Sequence, residues 1–420
     1  MGRWRWALAV LGLLLVGLLA GAYASWHFSS RVLVPEHPNW PEDISVEEVS
    51  PRRIVLERDE DTLRPGVYGL DWQSGHAVIG RVLGSDEHTV TRRLLDTWGY
   101  LVAGEKVAVD SSVYAGNPRQ ARGLPFKTVS IPGELGPMRA WYIPAAAPAN
   151  ASPGHTAPPP GDGAEQTPAT WAIVVHGIND DPQVGLRLAP TLRAAGLASL
   201  LITYREDLGA PQSPDGFHHM GLTEWRDLQA AALYALSHGA HSLVLVGYSM
   251  GGSLVTQFMQ HSRLADRVRG LILDAPALSW PAILSYNATE MGLPGFTAKP
   301  VEWAIGARID ADWDDLDALD HTDDFELPIL LFHGLDDTVV PVETSDELAA
   351  KLPRWVAYHR LPHAEHTQSW NVDPALYQRR VQAFLAATVV PSGAKSERGS
   401  SEGTAAAPDN QPEKQTSPAE

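Results

Sequence analysis

Residues 243–253 read LVLVGYSMGGS, an apolar run of strand type that stops at a glycine, a serine and two more glycines. Helix-forming residues follow, so the pattern predicts a strand, a sharp turn and a helix, with Ser249 at the turn. Gly247, Ser249 and Gly251 fit the motif G-x-S-x-G, whose glycines leave room for a backbone tight enough to raise a serine hydroxyl above a sheet. The stretch indicates that Ser249 is a nucleophile; the alternative is a plain strand-to-helix turn.

The composition favours serine chemistry and argues against a nucleic-acid partner. The chain has 420 residues and no cysteine, which excludes disulfides, thiolate metal sites and a cysteine nucleophile. Its 32 basic and 50 acidic residues give a net charge of -18, whereas nucleic-acid binding draws mostly on basic surface. The length allows one large domain and an additional module.

Residues 1–30 form a candidate membrane segment. Arg3 and Arg5 precede an apolar run over residues 7–24, which as a helix would be about 27 Å long and nearly match a hydrocarbon core of about 30 Å. The positive-inside rule places its start in the cytoplasm. We therefore expect a single-pass anchor in the cell membrane with an extracytoplasmic catalytic domain. The alternative is a secreted protein, because Ala22-Tyr23-Ala24 is an acceptable signal-peptidase site and cleavage would fall near Ala24.

Residues 44–118 are predicted to form a small β-rich module. Short segments rich in Val, Ile, Tyr and Thr are separated there by Gly and Asp. The module is too short for a β-propeller, which needs at least about four blades of about 40 residues. This disfavours an enzyme of the prolyl-oligopeptidase kind with its large β gate. No catalytic group is evident, and His76 and His88 are expected to be ordinary surface residues.

Residues 124–390 are predicted to form the catalytic domain. Strand and helix patterns alternate from residue 171 onward, with helices expected at 184–195, 223–237 and 374–386. This alternation predicts an α/β fold in which helices cover both faces of a mostly parallel central sheet.

Two further segments are predicted to lack a packed structure. Residues 145–170 are rich in Pro, Ala and Gly and should form a flexible insertion. The tail, residues 391–420, has no apolar periodicity and is expected to be disordered.

The first partners of Ser249 are sought at the ends of neighbouring strands, because open α/β sheets bind ligands at the carboxyl edge. His176, Gly177 and Ile178 follow a buried-type strand. We interpret the N–H groups of Ile178 and Met250 as an oxyanion hole. The alternative for this segment is a simple turn that ends the strand.

An acid and a histidine follow two later strands. Asp336 and Asp337 are adjacent in HGLDDTVVP, and either could orient a histidine. His366, the histidine nearest the final helix, is the predicted base, and His363 is the alternative.

A metal site is not expected near these histidines. His363-Ala364-Glu365-His366 is one residue short of H-x-x-E-H, and Pro362 argues against a helix there. We expect neither a metal nor a cofactor. A second histidine pair, His218 and His219, lies in a loop rich in Gly and Pro; we expect an exposed pair, with a place in the pocket as the alternative.

The chain order nucleophile, acid, histidine resembles that of the α/β-hydrolase superfamily, and the resemblance covers about residues 126–387. The matching motifs are HGIND, GYSMGG, HGLDDTVVP and AEHTQSW. It is closest to bacterial membrane-anchored hydrolases of the monoacylglycerol-lipase-like and acyl-thioesterase-like kind. Family members with H-G-x-x-D-x-V-V-P carry the acid at the fifth position, which implies Asp337, and the resemblance also implies His366. One departure is Ile178-Asn179-Asp180, where lipases of the H-G-G-G kind have glycines.

Residues 276–326 occupy the usual position of a cap in this superfamily. The first part of this segment is apolar, with Trp280, Ile283, Leu284, Met291 and Phe296 among its residues, and the second part is crowded with aspartates. The apolar part could receive an acyl chain, and the acidic part would repel anionic substrates. The alternative is that the apolar residues form the core of the cap itself.

Taken together, these features predict a membrane-anchored serine hydrolase that cleaves a carboxylic ester or thioester through Ser249, His366 and Asp337. Its substrate would be a small-molecule or lipid-like acyl ester. A peptidase or acyltransferase could use the same residues, since water, an amine or an alcohol can release an acyl-enzyme. A third hypothesis is an inactive hydrolase scaffold that binds a partner in the cell envelope.

Overall fold

The computed structural model of the chain describes residues 2–36, 41–146 and 169–389. Most of the predicted insertion at 145–170 and the whole predicted tail at 391–420 therefore lie outside the described residues. The strands are β1 (Ile44–Ser50), β2 (Arg53–Glu57), β3 (Tyr68–Trp72), β4 (Gly75–Ser85), β5 (Thr89–Trp98), β6 (Lys106–Asp110), β7 (Lys127–Pro132), β8 (Pro137–Ile143), β9 (Ala169–Val175), β10 (Ala198–Ile202), β11 (Ala240–Tyr248), β12 (Val268–Asp274), β13 (Ile329–Gly334) and β14 (Val356–Leu361).

Helices connect and cover these strands. They are α1 (Gly2–Leu33), α2 (Glu60–Leu63), α3 (Pro118–Arg122), α4 (Ala189–Ala194), α5 (Trp225–Ser237), α6 (Met250–His261), α7 (Trp280–Glu290), α8 (Lys299–Ile309), α9 (Val342–Lys351), α10 (Ser369–Val372) and α11 (Pro374–Thr388). Short 3-10 helices occur at Pro182–Arg187, Ala265–Arg267, Gly295–Ala298 and Ala318–Phe325.

Strands β1 to β6 form a closed antiparallel barrel in the order β1-β2-β5-β4-β3-β6. Closure leaves no free sheet edge, and the irregular pairing of β4 with β5 bends these long strands around the barrel. The sequence pattern does not predict β1 as a strand. A register irregularity between Val46 and Glu48 leaves Glu47 and Glu48 both exposed, so the alternation typical of a strand is lost.

His76 of the barrel is buried, and the prediction of a surface residue was wrong. Its Nδ1 lies 2.6 Å from Asp71 Oδ1 and its Nε2 lies 2.8 Å from the carbonyl oxygen of Val113. Burial alone would lower the pKa of His76, but the hydrogen bond and charge of Asp71 raise it above its ordinary value. Burial is tolerated because both ring nitrogens have partners. His88 is exposed, as predicted.

Strands β7 to β14 form an eight-stranded sheet in the order β14-β13-β12-β11-β9-β10-β8-β7. The strands from β9 onward run parallel, while β8 is antiparallel to both β7 and β10. The central strand β11 alternates between two cores: Leu243 and Leu245 face one side, and Val244 and Val246 face the other.

Helices lie on both faces of this sheet. The core on the Leu245 side includes residues of α5, α6 and α9, and the core on the Val246 side includes residues of α4 and α11. This strand order, with helices on both faces, is that of the α/β-hydrolase fold. The predicted fold class is confirmed, together with the small N-terminal β module.

One predicted helix is divided in the structure. Residues 184–195 were expected to form a single helix but contain the end of the 3-10 helix Pro182–Arg187 and then α4. Pro190 supplies no N–H, and its ring would clash with the carbonyl group four residues earlier in a continuous helix. The helices predicted at 223–237 and 374–386 correspond to α5 and α11, with ends that differ by two residues.

Within the described residues, one helix is long and apolar enough to cross a membrane. Its candidate span is Trp6–Leu33, in which an 18-residue window has a mean hydropathy of 2.3, and it fits either a membrane anchor or a signal sequence. The last turns of α1 are partly covered by the domain that contains β7 to β14, where Ser29 and Leu33 are fully buried. The carbonyl oxygen of Leu33 accepts a 2.8 Å hydrogen bond from the N–H of His218.

Candidate active site

Ser249 occupies the sharp turn between β11 and α6, with φ at 50° and ψ at −119°. A positive φ is strained for a residue with a side chain and persists only where the surroundings enforce it. Neighbouring glycines make the turn possible. A Cβ atom on Gly247 would lie 2.7 Å from the carbonyl oxygen of Gly251, and one on Gly251 would collide with the carbonyl oxygen of Val175. The turn thus presents the Ser249 side chain at the carboxyl edge of the sheet.

Three predicted residues meet at this edge although they lie far apart in the chain. His366 Nε2 is 2.8 Å from Ser249 Oγ, and His366 Nδ1 is 2.8 Å from Asp337 Oδ2. With its hydrogen on Nδ1, the imidazole donates to the carboxylate and accepts from the serine hydroxyl. This is the contact pattern that a base needs to take a proton from a serine.

The two alternative residues lie away from this group. Asp336 and His363 are 3.7 Å apart on the surface, with side chains that are 55% and 74% exposed. Glu365, between the two histidines, pairs with Arg64 at 2.7 Å. Among the described residues, no group of three or more histidine and acidic side chains is placed to hold a metal ion.

The Asp337 carboxylate is buried and fully hydrogen-bonded. The N–H groups of Val339 and Val340 donate to Oδ1 at 2.8 and 2.9 Å, and His333 Nε2 lies 3.2 Å from Oδ2. Burial alone would raise the pKa of Asp337, but the charge of His366 and the hydrogen bonds from His333 and His366 hold it well below its usual value. The group is therefore a carboxylate at neutral pH.

His333 is a residue to which the sequence analysis gave no role. It is buried, and its Nδ1 contacts Ser345 Oγ at 2.7 Å. In the local sequence, the only feature that draws attention to His333 is the His-Gly pair at the end of β13.

The predicted oxyanion loop passes directly beside Ser249. A Cβ atom on Gly177 would lie 3.1 Å from Ser249 Cβ. The Gly177 carbonyl oxygen accepts a 2.7 Å hydrogen bond from the Tyr204 hydroxyl and lies 2.8 Å from His176 Nδ1. The peptide is trans, so its N–H, which belongs to Ile178, points away from both side chains.

The second predicted donor is the N–H of Met250. Met250 is the first residue of α6, and first-turn N–H groups have no partner within their own helix. In the described loops and turns, neither this N–H nor that of Ile178 donates to a backbone carbonyl. Both groups are therefore available to an oxygen atom bound beside Ser249.

A buried ion pair supports the predicted oxyanion loop. His176 Nε2 lies 2.9 Å from Asp207 Oδ2, and the His176 ring stacks on Tyr204 with centroids 4.5 Å apart. Burial would lower the pKa of His176, but the charge and hydrogen bond of Asp207 raise it to about 9. Protonated His176 donates from both nitrogens, to Asp207 and to the Gly177 carbonyl. The sequence gives no sign of the roles of Tyr204 and Asp207, because both lie in a loop without a recognisable pattern.

Asn179 connects the oxyanion loop to the segment after α1. Its Oδ1 accepts a 2.9 Å hydrogen bond from the N–H of Glu36 and lies 3.2 Å from His218 Nε2. His218 and His219 are buried, so the prediction of an exposed pair was wrong. The end of α1 and the residues after it cover this loop, and the sequence gives no sign of that packing.

The barrel contacts the histidine loop, which we define as residues 362–368. Arg64 pairs with Glu365, and the Tyr68 hydroxyl donates to Gln368 Oε1 at 3.0 Å. These contacts lie on either side of His366. The barrel thus supports the loop that carries the predicted base, although it contributes no residue to the group around Ser249.

Ser249 lies on the wall of a cavity of about 890 Å³, near the upper end of the usual size for a ligand pocket. The cap supplies Trp280, Ile283, Leu284, Met291, Leu293 and Phe296. The Tyr286 hydroxyl donates to the carbonyl oxygen of Asp337, and Asn287 Nδ2 donates to that of Val339. The cap is thereby joined to the loop that carries Asp337, and much of its apolar part faces the cavity.

Two family models match the chain. The model described as the prolyl oligopeptidase family matches residues 211–390, which include Ser249, Asp337 and His366. The model described as Domain of unknown function (DUF8805) matches residues 45–110, which correspond to the barrel. No curated protein matches the chain.

Solved structures with a similar arrangement include several esterases. An esterase from Pyrococcus furiosus, Pf2001, is 18% identical with a TM-score of 0.49, covering 66% of this chain and 96% of its own. Est1E from Butyrivibrio proteoclasticus is 17% identical with a TM-score of 0.45, covering 63% and 100%. A membrane phospholipase A described as a bacterial virulence factor is 17% identical with a TM-score of 0.44, covering 63% and 87%. At these identities and TM-scores, none of the likenesses indicates what this chain acts on.

Proposed function

We propose that this chain, a hydrolase with the α/β-hydrolase fold, cleaves carboxylic ester or thioester bonds with Ser249 as nucleophile, His366 as base and Asp337 as the acid that orients the base. The match to the prolyl oligopeptidase family supports the hydrolase class, and the strand order agrees with it because it is that of the α/β-hydrolase fold. The main support for the residue roles is that one imidazole lies 2.8 Å from both the serine oxygen and the carboxylate oxygen.

The reaction starts when His366 Nε2 takes the hydroxyl proton and Ser249 Oγ bonds to the carbonyl carbon of the substrate. The carbonyl oxygen becomes an oxyanion, which the N–H groups of Ile178 and Met250 stabilise. When the bond to the leaving group breaks, His366 gives its proton to the departing alcohol or thiol. An acyl group then remains on Ser249 Oγ.

Water completes the cycle by the same steps. His366 removes a proton from a water molecule, the resulting hydroxide attacks the acyl carbon, and Ser249 leaves with the proton that His366 returns. The released product is a carboxylic acid. The low pKa of Asp337 keeps its carboxylate charged throughout, so that it stabilises the imidazolium formed in each half of the reaction.

The cavity favours an acyl chain over a peptide. Its cap wall is built from apolar side chains and lies beside Ser249. Peptide hydrolysis is a second candidate function because the prolyl oligopeptidase family model matches the region that carries all three residues. An acyltransferase would use the same acyl-enzyme with an alcohol or amine in place of water.

Helix α1 is proposed to be an uncleaved membrane anchor. Arg3 and Arg5 would hold its start in the cytoplasm, which places the catalytic domain outside the cytoplasm. Cleavage after Ala24 would remove Gly21 and Ala24, which line the cavity that contains Ser249, and this supports retention of the helix.

Labelling with a fluorophosphonate probe tests the proposed nucleophile. We expect the wild type to be labelled at Ser249, Ser249→Ala to remain unlabelled, and the exposed-serine control Ser237→Ala to be labelled like the wild type. Equal labelling of wild type and Ser249→Ala would overturn the assignment.

A substrate panel tests the proposed bond type. Hydrolysis of p-nitrophenyl esters and acyl thioesters, with no hydrolysis of aminoacyl amides, is the expected result. The opposite preference would favour the peptidase.

A further inference from the structure

One face of α1 forms part of the cavity that contains Ser249. The residues of this face, here called the α1 wall, are Gly21, Ala24, Ser25, Phe28, Arg31 and Val32. Their spacing of three or four residues places them in one row along the helix. The same helix therefore supplies both the candidate membrane span and part of the candidate substrate site.

The α1 wall begins within the apolar run. A hydrocarbon core of about 30 Å takes up about 20 helical residues, so a span that starts at Trp6 ends near Ser25. Gly21 and Ala24 would then lie in the outermost turn of the hydrocarbon, and Phe28 and Val32 would lie beyond it. The cavity thus extends along the helix from the depth of the lipid tails toward Ser249.

The cap adds apolar side chains at the same opening. Met291, Leu293 and Phe296, here called the apolar mouth, line the cavity and are 53%, 46% and 74% exposed. Trp303 on α8, the helix that packs against α1, is 75% exposed. A cluster of this kind is unfavourable in water and typical of a surface that meets a membrane or a partner. Because the cluster lies beside α1, the candidate membrane helix, we infer that it meets the membrane.

The packing between α1 and the catalytic domain is specific. Arg308 Nη1 donates to Ser29 Oγ at 2.8 Å and to Ser30 Oγ at 2.9 Å, and its guanidinium lies 4.3 Å from the ring centroid of Trp26. The hydrogen bond from Glu36 N to Asn179 Oδ1 holds the segment after the helix. These contacts fix the apolar mouth and the α1 wall relative to each other.

We propose that the substrate is an acyl ester of a membrane lipid, which reaches Ser249 directly from the outer leaflet by moving its acyl chain between the α1 wall and the apolar mouth. The inference rests on the proposed ester hydrolysis and names its substrate class. The path is lined mostly by apolar side chains, with Arg31 and Glu290 as its charged residues, so a chain that follows it exposes fewer methylene groups to water.

The test uses the full-length protein in phosphatidylcholine vesicles that contain a diacylglycerol with a fluorescent acyl chain. The measured quantity is the rate on this lipid divided by the rate on p-nitrophenyl butyrate in solution. Ala24→Trp places an indole ring in the cavity beside the α1 wall. Ala22→Trp makes the same change at an exposed position outside the cavity. We expect Ala24→Trp to lower the ratio by about tenfold, because the added ring overfills the path, and Ala22→Trp to leave it unchanged.

A second arm examines the route of the lipid. Vesicles that carry the enzyme are mixed with enzyme-free vesicles that contain a differently coloured lipid. We expect cleavage only of the lipid that shares a bilayer with the enzyme. Equal cleavage of both lipids, or equal ratios for Ala24→Trp and Ala22→Trp, would overturn the proposed route.

The remaining outcomes distinguish the proposed ester hydrolysis from the proposed lipid route. Hydrolysis of the soluble ester without hydrolysis of vesicle lipid would overturn the lipid route and leave ester hydrolysis intact. No hydrolysis of any ester, together with no labelling at Ser249, would overturn both. Recovery of a membrane-fraction protein whose mass shows cleavage after Ala24 would also overturn the route, because part of the α1 wall would be missing.

Discussion

Arg64 of the barrel and Glu365 of the histidine loop form an ion pair of 2.7 Å, one residue before His366. On the other side of His366, Gln368 accepts a hydrogen bond from the buried hydroxyl of Tyr68. The proposed base is therefore held between two contacts with a separate β module. We infer that the barrel helps to position His366.

Replacing Tyr68 with phenylalanine should lower kcat by about fivefold and leave KM nearly unchanged, since a lost hydrogen bond of about 1 kcal/mol would let the histidine loop shift. Steady-state kinetics on a soluble ester measure both constants. Tyr100→Phe, which changes an exposed tyrosine after β5, is the matched control. The double variant Tyr68→Phe/Gln368→Ala should be no slower than the slower single variant, because both changes remove the same contact. Additive losses would contradict the positioning role.

Asp337→Asn should lower kcat by about four orders of magnitude, because an amide cannot hold His366 in the tautomer that accepts the serine proton. The adjacent Asp336→Asn should have little effect, since Asp336 lies on the surface. His366→Ala and His363→Ala form a second matched pair. We expect a large loss of kcat for His366→Ala and little effect for His363→Ala. Measuring kcat for all four variants checks the assignment, and a larger loss for either surface variant would refute it.

Tyr204→Phe should lower kcat by about tenfold with little change in KM. The substitution removes one donor to the Gly177 carbonyl, so the Ile178 N–H is less firmly aimed; the loss should be smaller than the about hundredfold or greater effect of deleting an oxyanion donor. Tyr234→Phe on α5 is the control. A pure change in KM, or a drop in melting temperature that accounts for the whole loss, would argue against this role.

His176 should make the stability of the protein depend on pH. Its pKa is raised to about 9 in the folded chain from an ordinary value of 6.5. The stabilisation is thus fully present below about pH 6.5 and is lost as the pH rises through about 9; its size is on the order of 3 kcal/mol. Urea unfolding across this range should show a falling midpoint for the wild type and a flatter profile for His176→Gln. Parallel profiles would contradict the assignment.

The sheet and the nucleophile turn were predictable because their signals are local. The apolar run of β11 marks a strand buried on both faces, and the glycines around Ser249 mark a turn that residues with side chains cannot form. The choice of Asp337 over Asp336 came from a family motif, since no feature of the local sequence distinguishes two adjacent aspartates.

Errors arose where a local pattern was interrupted or where burial depended on distant residues. The exposed pair Glu47 and Glu48 concealed β1, and Pro190 divided a helix that its apolar periodicity predicted. His76 and His218 were expected on the surface because polar residues in loops and short strands usually are. Their burial depends on Val113 and Leu33, whose backbones approach them only in the folded chain.

The amino-acid pattern determined the fold class, the turn at Ser249 and the residues from which a triad could be chosen, because the signals for them lie within a few positions of one another. Only tertiary structure revealed that α1 forms part of the cavity wall and that the barrel supports the histidine loop. Tyr68 and Gln368, for example, are 300 residues apart in the chain. The periodicity of apolar residues in a sequence does not predict such a contact, since the contact arises from the packing of separate elements.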